Sequence, residues 1–312
     1  MNEKKEQNDR RHFLKKLPVI ASLPYLAFQK KQEAMPVSCN SYNWLTFYRR
    51  SGGVWGKNLD EDFMEFSKTG IKAYEPGLSG LEEARQLIPV LKKYGIAMPS
   101  VYVNSTLHQK DKAAESISAV LKIADELKSF GTKIIVTNPS PIKWGSNDLK
   151  TDAELETQAK SMEELGRQLK QRGMTLAYHT HDIELKAGAR EFHHILLNTS
   201  PEFVSFCFDV HWIYRGSSNS QVAVFDVLKL YGKRVVELHL RQSKGEIWSE
   251  TFGEGDIDYA RLAIELKKLN LRPHLVIEQC IEDKSPDTMN VVEAHIRDLE
   301  QVKKVFKPIL QP

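Results

Sequence analysis

The chain predicts an α/β fold, a closed (β/α)8 barrel of eight parallel strands, built as a single domain behind an N-terminal arm. Three observations carry this. From Met35 onward, short apolar runs alternate with amphipathic stretches, and that alternation implies parallel strands joined by crossover helices. The runs are nearly continuous in apolar residues, as strands covered on both faces are. Eight such units occupy about 275 residues, close to the ~250 typical of a barrel. A doubly wound open sheet would show the same alternation. It usually carries a Gly-rich phosphate turn after its first strand, and no G-x-G-x-x-G or Walker pattern occurs in this sequence.

Each element has its own warrant. PVSCNSYNWL reads as the first strand, and DEDFMEFSKT as a short helix stopped by Gly70. IKAYEPG is a strand ending at Glu75. In LEEARQLIPVLKKYG the apolar Leu81, Ala84, Leu87, Ile88 and Leu91 recur at helical spacing, and Gly95 ends the helix. IAMPSVYVN is the third strand, and DKAAESISAVLKIADELKSFG a long amphipathic helix closed by Gly131. KIIVTNPS is followed by a helix that Thr151 or Asp152 caps and Gly173 stops. MTLAYHTH is followed by a short helix in REFHHILLNTS. FVSFCFDVHW precedes the helix SQVAVFDVLKLYG, and VVELHLRQS precedes DIDYARLAIELKKLN. HLVIEQC and a helix over 287–306 complete the eight units. The glycines of FGEGDIDY shape the loop before the seventh helix, with Asp256 or Asp258 as its cap.

The composition, 41% hydrophobic and 27% charged, is that of a soluble globular protein. A net charge of +3, with basic residues scattered among acids, is too mild for a nucleic-acid partner. Cys39, Cys207 and Cys280 are odd in number and lack paired spacing, which argues against a disulfide framework; Cys207 and Cys280 read as small core residues. The N-terminal DRRHFLKK, followed by LPVIASLPYLAF, resembles a twin-arginine export signal and predicts a periplasmic protein; otherwise the chain is cytoplasmic. The apolar stretch is short and holds Pro18 and Pro24, so no stable membrane span is expected. Residues 1–34 are set apart as this arm, and 35–312 are assigned to the barrel.

Barrels place their chemistry at the C-terminal ends of the strands. Here those ends hold Glu75 (strand two), His179 and His181 (five), Asp209 and His211 (six), His239 with Arg241 beyond it (seven), and Glu278 (eight). Strands three and four end near Asn104 and Asn138. Alone, His239 is more readily a hydrogen-bonded strand residue, Asp209 a loop cap, and Glu278 the partner of a rim arginine. Recurrence at four strand ends favours a shared role. A His, Asp, His, Glu set of N and O donors suits a divalent transition metal, whereas a pure Ca²⁺ or Mg²⁺ site prefers oxygen throughout. His108, His193 and His194 read as surface or rim residues.

The runs TLAYHTHDIEL, FCFDVHWIYRG, VVELHLRQS, FGEGDIDYARL and LVIEQC, in this order, resemble the xylose isomerase-like TIM-barrel superfamily, in particular its sugar phosphate isomerase/epimerase branch. The resemblance covers residues 36 to 308. It implies a divalent metal held by His179, Asp209, His239 and Glu278, with Mn²⁺ foremost and Zn²⁺, Co²⁺, Fe²⁺ or Mg²⁺ as alternatives. His179 stands where many epimerases of this superfamily have a glutamate, which argues against two-glutamate epimerisation. His181 is the first acid/base candidate, followed by Glu75 and His211. Arg241 is expected to hold a polar or anionic substrate group, and Trp44, Tyr102, Trp144 and Trp212 to line a sugar pocket. The expected activity is that of a metal-dependent isomerase, epimerase or lyase acting on a small sugar or keto-sugar, in a chain that forms homo-oligomers. A keto-glycoside lyase or hydratase, a non-catalytic sugar-binding protein and a three-metal endonuclease are the alternatives. The endonuclease would need more ligands and a basic groove than this chain offers.

Overall fold

The computed structural model describes residues 35–310. The twin-arginine-like stretch lies outside them. Eight strands form the barrel: β1 (Ser38–Asn40), β2 (Ala73–Glu75), β3 (Ser100–Tyr102), β4 (Ile134–Thr137), β5 (Thr175–Tyr178), β6 (Val204–Asp209), β7 (Val235–Leu240) and β8 (His274–Ile277). All pair in parallel, in the spatial order β2-β1-β8-β7-β6-β5-β4-β3. The last gap is bridged by backbone bonds: Tyr74 N donates to Ala97 O, Tyr102 N to Pro76 O and Leu78 N to Tyr102 O, each at 2.9 Å. These links bring the two sheet edges together and all but close the barrel.

The helices that cover it are α1 (Ser41–Arg50), α2 (Leu59–Ser67), α3 (Leu81–Tyr94), α4 (Lys110–Leu127), α5 (Asp152–Gln171), α6 (Lys186–Leu197), α7 (Val210–Gly216), α8 (Gln221–Tyr231), α9 (Tyr259–Lys268), α10 (Val291–Val305) and the short α11 (Lys307–Leu310). Most start and stop where the sequence signals them. Thr151 and Glu154 form a reciprocal capping box on α5, and Asp258 caps α9. Gly95 ends α3 in the left-handed conformation, φ 63°, which glycine adopts at little cost. Asp256 is no cap: its carboxylate accepts from Ser243 Oγ, Gly245 N and Glu246 N, tying down a two-strand hairpin over Ser243–Lys244 and Ile247–Trp248. That hairpin was not expected from the sequence. Nor were α1 and α7, which follow directly on β1 and β6. In both cases the last strand residue caps the helix: Asn40 accepts from Tyr42 N and Asp209 from Trp212 N, each at 2.7 Å.

The large apolar core lies between the sheet and the helices, where every barrel strand contributes a buried residue. Inside the barrel the filling is split. Ile134, Val136, Ala177 and Cys207 form a small apolar cluster on β4, β5 and β6. On the other side, Ser38, Asn40, Glu75, Ser100, Glu237, His239 and His274 form a buried, hydrogen-bonded polar column. Among the described residues no helix is long and apolar enough to cross a membrane.

Gly166, in the middle of α5, offers a test of this packing. A glycine-to-alanine change in a helix interior ordinarily stabilises by about 0.5–1 kcal/mol. Here a Cβ would fall 2.2 Å from Phe203 O and 2.7 Å from Phe203 C, backbone atoms just ahead of β6. Gly166→Ala is therefore expected to lower the melting temperature by several degrees, given about 2–4 °C per kcal/mol for a domain of this size. Thermal unfolding followed by circular dichroism checks it; an unchanged or raised midpoint refutes the close approach.

Candidate active site

β5, β6, β7 and β8 are neighbours in the sheet, and each ends in one of the predicted groups. His179 follows β5, and its peptide N donates to Thr137 O at 2.9 Å. Asp209 closes β6 in register with His239 on β7. Glu278 follows β8, its peptide N donating to Leu240 O at 3.0 Å. One ligand atom from each of His179, Asp209, His239 and Glu278 lies within 4.8 Å of the others, and all four residues are buried. His179 Nε2 is 3.4 Å from Asp209 Oδ2, and His239 Nδ1 is 3.0 Å from Glu278 Oε2.

This donor set fits a divalent cation. Both ring nitrogens of His179 and Oδ2 of Asp209 are buried without a hydrogen-bond partner, a costly state unless something else completes them. Asp209 divides its work: Oδ1 caps α7 and Oδ2 is left for the cluster. Burial opposes a charge on His239, yet Cys207, Glu75 and Glu278 around it more than offset that and raise it well above the ordinary imidazole range. Burial likewise opposes ionisation of Glu278, but Arg241 and His239 beside it hold its carboxyl below the usual range.

Arg241 is 1% exposed. Its Nη2 is 3.0 Å from Glu278 Oε2 and its Nε donates to Glu278 O at 3.0 Å. Its guanidinium lies over Trp248 at 4.3 Å from the ring centre and near Trp212 at 5.3 Å, a cation–π setting that orients it. Nη1 is buried and unpartnered. Arg241 therefore carries a free donor beside Glu278, suited to a substrate oxygen.

The two further histidines flank the cluster. The His181 ring meets His179 at 5.0 Å, Trp212 at 5.2 Å and Trp144 at 5.7 Å, all edge-on. His211 lies in the first turn of α7 rather than on the strand, 6.0 Å from Trp248. Burial, followed by the neighbouring His179, keeps His181 well below the ordinary imidazole range; burial and Arg241 push His211 down to about 3. Nδ1 of His181 and both ring nitrogens of His211 have no partner. Tyr102, on β3, meets the His179 ring edge-on at 5.2 Å, and Trp144 is 55% exposed beside His181.

Three expectations need correction. Trp44 lines no pocket: it is fully buried in the helical layer, 4.5 Å from Trp55, 5.3 Å from Phe66 and 5.2 Å from His295. The strand ends at Asn40, and α1, starting at Ser41, carries Trp44 away from the mouth. Glu75 lies inside the barrel, where it accepts from Asn40 Nδ2 and Ser100 Oγ at 2.6 Å each and approaches His239 Nε2 at 3.1 Å. Engaged on both oxygens, it faces the underside of His239 instead of a substrate. His108 is 2% exposed and so is no surface residue.

Other site residues were missed. Trp248 arrives on the unpredicted hairpin. Glu237 sits two residues before His239, and the strand's period of two, which puts both on one face, was the available signal. Glu184 belongs to the same HTHDIE stretch as the histidines. It accepts from His181 N at 2.7 Å and from Asn138 Nδ2 at 3.0 Å, while Asn138 Nδ2 also donates to His179 O at 3.2 Å. Burial, reinforced by Glu191, raises its carboxyl to about 7. Only a carboxylate offers acceptors to both donors at once. Glu184→Gln turns an amide NH₂ toward one of them and is expected to cut kcat about tenfold, the factor for about 1.4 kcal/mol, with the metal content unchanged. Steady-state kinetics beside metal analysis reads this, and an unaltered kcat removes Glu184 from the support of the loop.

Taken together, fold and site define a (β/α)8 barrel with a buried His, Asp, His, Glu centre at its C-terminal mouth. The profile of the xylose isomerase-like TIM barrel family matches residues 59–300, and the chain belongs to that family. An inosose dehydratase of Clostridium perfringens is 24% identical over 275 residues, covering 79% of this chain and 89% of the relative. A solved sugar phosphate isomerase/epimerase from Parabacteroides distasonis superposes with a TM-score of 0.65 at 15% identity, covering 90% of this chain and 97% of that one. The solved 3-keto-D-glucoside 4-epimerase from E. coli gives a TM-score of 0.61 at 15% identity, over 86% and 99%.

Proposed function

We propose that the protein is a divalent-metal-dependent enzyme that moves a proton on the carbon beside a carbonyl of a sugar or keto-sugar derivative. The observation that carries this is the convergence of His179, Asp209, His239 and Glu278, with ligand atoms within 4.8 Å of one another and unsatisfied polar atoms among them. These four residues would hold the cation. A bound divalent ion supplies Lewis-acid polarisation of a substrate oxygen, which acidifies the adjacent C–H.

The chain's own groups do the rest. Arg241, fixed by Glu278 and the two tryptophans, offers Nη1 to a substrate hydroxyl or carbonyl oxygen and orients the ring. His181, with an unpartnered Nδ1, accepts the proton from carbon. His211, in the first turn of α7 with both ring nitrogens free, offers a neutral N–H to hydrogen-bond the leaving oxygen, and the proton that His181 took from carbon is the one passed on to that oxygen or back to carbon. Tyr102, Trp144, Trp212 and Trp248 around these histidines limit the access of water.

Elimination is the favoured outcome. Direct epimerisation by a carboxylate pair needs an acid on each face of the substrate. Here His179 stands at one of the two positions, and Glu278 is committed to Arg241 and His239. The dehydratase relative is in keeping with this. The test is incubation of Mn²⁺-loaded protein with inososes, keto-sugars and 3-keto-glycosides in D₂O. Solvent deuterium is expected on the carbon next to the carbonyl, together with an unsaturated product. Absence of exchange with every substrate in metal-loaded protein overturns the reading.

A further inference from the structure

We propose that Glu75 and Glu237, two carboxylates inside the barrel, are positioning residues that hold a proton on His239 Nε2 and thereby reserve Nδ1 for the cation. The inference rests on the metal-dependent reading above and extends it beneath the site.

The geometry is cross-barrel. β7 and β2 are separated in the sheet by β8 and β1, so a contact between His239 and Glu75 passes through the interior. Nε2 of His239 is 3.1 Å from Glu75 Oε1 and 3.3 Å from Glu237 Oε1, while Nδ1 is hydrogen-bonded to Glu278 Oε2 at 3.0 Å, a contact that a cation held by the two would replace. Neither interior carboxylate lies on the Nε2–H axis, since that nitrogen makes no linear hydrogen bond. Both oxygens approach the same ring edge, so they bracket a proton on Nε2 between them. A neutral imidazole carries one proton and one lone pair. A proton drawn to Nε2 leaves the lone pair on Nδ1, turned toward Glu278 and the cluster.

The carboxylates are themselves anchored. Glu75 is gripped by Asn40 Nδ2 and Ser100 Oγ. Glu237 Oε2 contacts His274 Nδ1 at 2.7 Å, and His274 Nε2 reaches Ser38 Oγ at 2.9 Å. His274 is in register with Glu237 on the adjacent strand. Barrel interiors are ordinarily filled by branched apolar side chains, and burying carboxylates costs free energy unless they are well partnered. A column of Ser38, His274, Glu237, His239, Glu75 and Ser100 is thus an expensive filling, which orienting a ligand would justify.

The same groups suggest a second cation site, because Cys207, Glu237 and His239 also lie within 4.8 Å of one another. The neighbours rule against it. Glu237 Oε2 is occupied by His274, and the Cys207 thiol donates to Glu237 Oε1 at 3.6 Å. Both Glu237 oxygens and the thiol are thus engaged with one another and with His274.

Outer partners of a ligating histidine typically contribute about 10–100-fold in metal affinity. The test is calorimetric titration of metal-free, full-length protein with Mn²⁺ for the wild type, Glu75→Gln and Glu237→Gln, with the metal-free melting temperature of each. Both variants are expected to bind Mn²⁺ about tenfold more weakly than wild type, at unchanged stoichiometry. Affinities within twofold of wild type in folded variants overturn the proposal while leaving the metal-dependent reading intact. Wild-type protein that takes up no Mn²⁺ overturns both. A second measurement needs no variant: ¹⁵N-histidine NMR of the Zn²⁺-loaded wild type. A proton on His239 Nε2 is expected, and a proton on Nδ1 overturns the inference.

Discussion

Asp209→Asn is expected to leave the fold standing and to empty the proposed metal centre. Asparagine caps a helix as well as aspartate, so its side-chain oxygen keeps the bond from Trp212 N that starts α7. What disappears is Oδ2, the unpartnered oxygen 3.4 Å from His179 Nε2. An amide NH₂ in its place is a donor and no ligand. Binding of Mn²⁺ should weaken more than ~100-fold, beyond the effect usual for outer-shell partners. Catalysis should fall at least ~10³-fold, because Lewis-acid stabilisation contributes several kcal/mol and each ~1.4 kcal/mol is tenfold. Elemental analysis and kcat/KM on the same preparation read both. Stoichiometric metal in Asp209→Asn would remove the four-residue centre from the account.

His181→Gln should separate chemistry from metal binding. His181 lies outside the four-residue cluster, although its ring is 5.0 Å from that of His179. Loss of a positioned general base costs about 10²–10⁴ in rate. The expected result is a kcat lower by that factor, an unchanged Mn²⁺ content and a KM within a few-fold of wild type. Loss of metal would mean that His181 ligates. An unchanged kcat would shift the base role to His211, the other flanking imidazole with free nitrogens.

Much of the architecture was legible because parallel barrels leave two strong marks. Strands covered on both faces read as apolar runs, and crossover helices carry the 3.6-residue period between glycine stops. Gly95, Gly131 and Gly173 each end a unit with positive φ. The elements missed lack those marks. α7 has seven residues and the hairpin strands two each, too short for any period to show, and both are held by side-chain capping and by Asp256. Trp44 was misplaced for a related reason: a residue four positions beyond β1 faces wherever α1 points it, and local pattern does not encode that direction.

What the sequence determined by itself was the order of units and the chemistry waiting at their ends, since a strand's last residues must emerge at one face of a parallel barrel wherever the strand stands in the ring. Closure of the ring decided the rest. Strands β2 and β7, more than 150 residues apart in the chain, meet across the interior, so Glu75 became the underside support of His239 instead of a group at the mouth. Which edge of the His239 ring faces Glu278 and which faces Glu75 depends on atoms brought together by curvature, and no run of neighbouring residues contains that information.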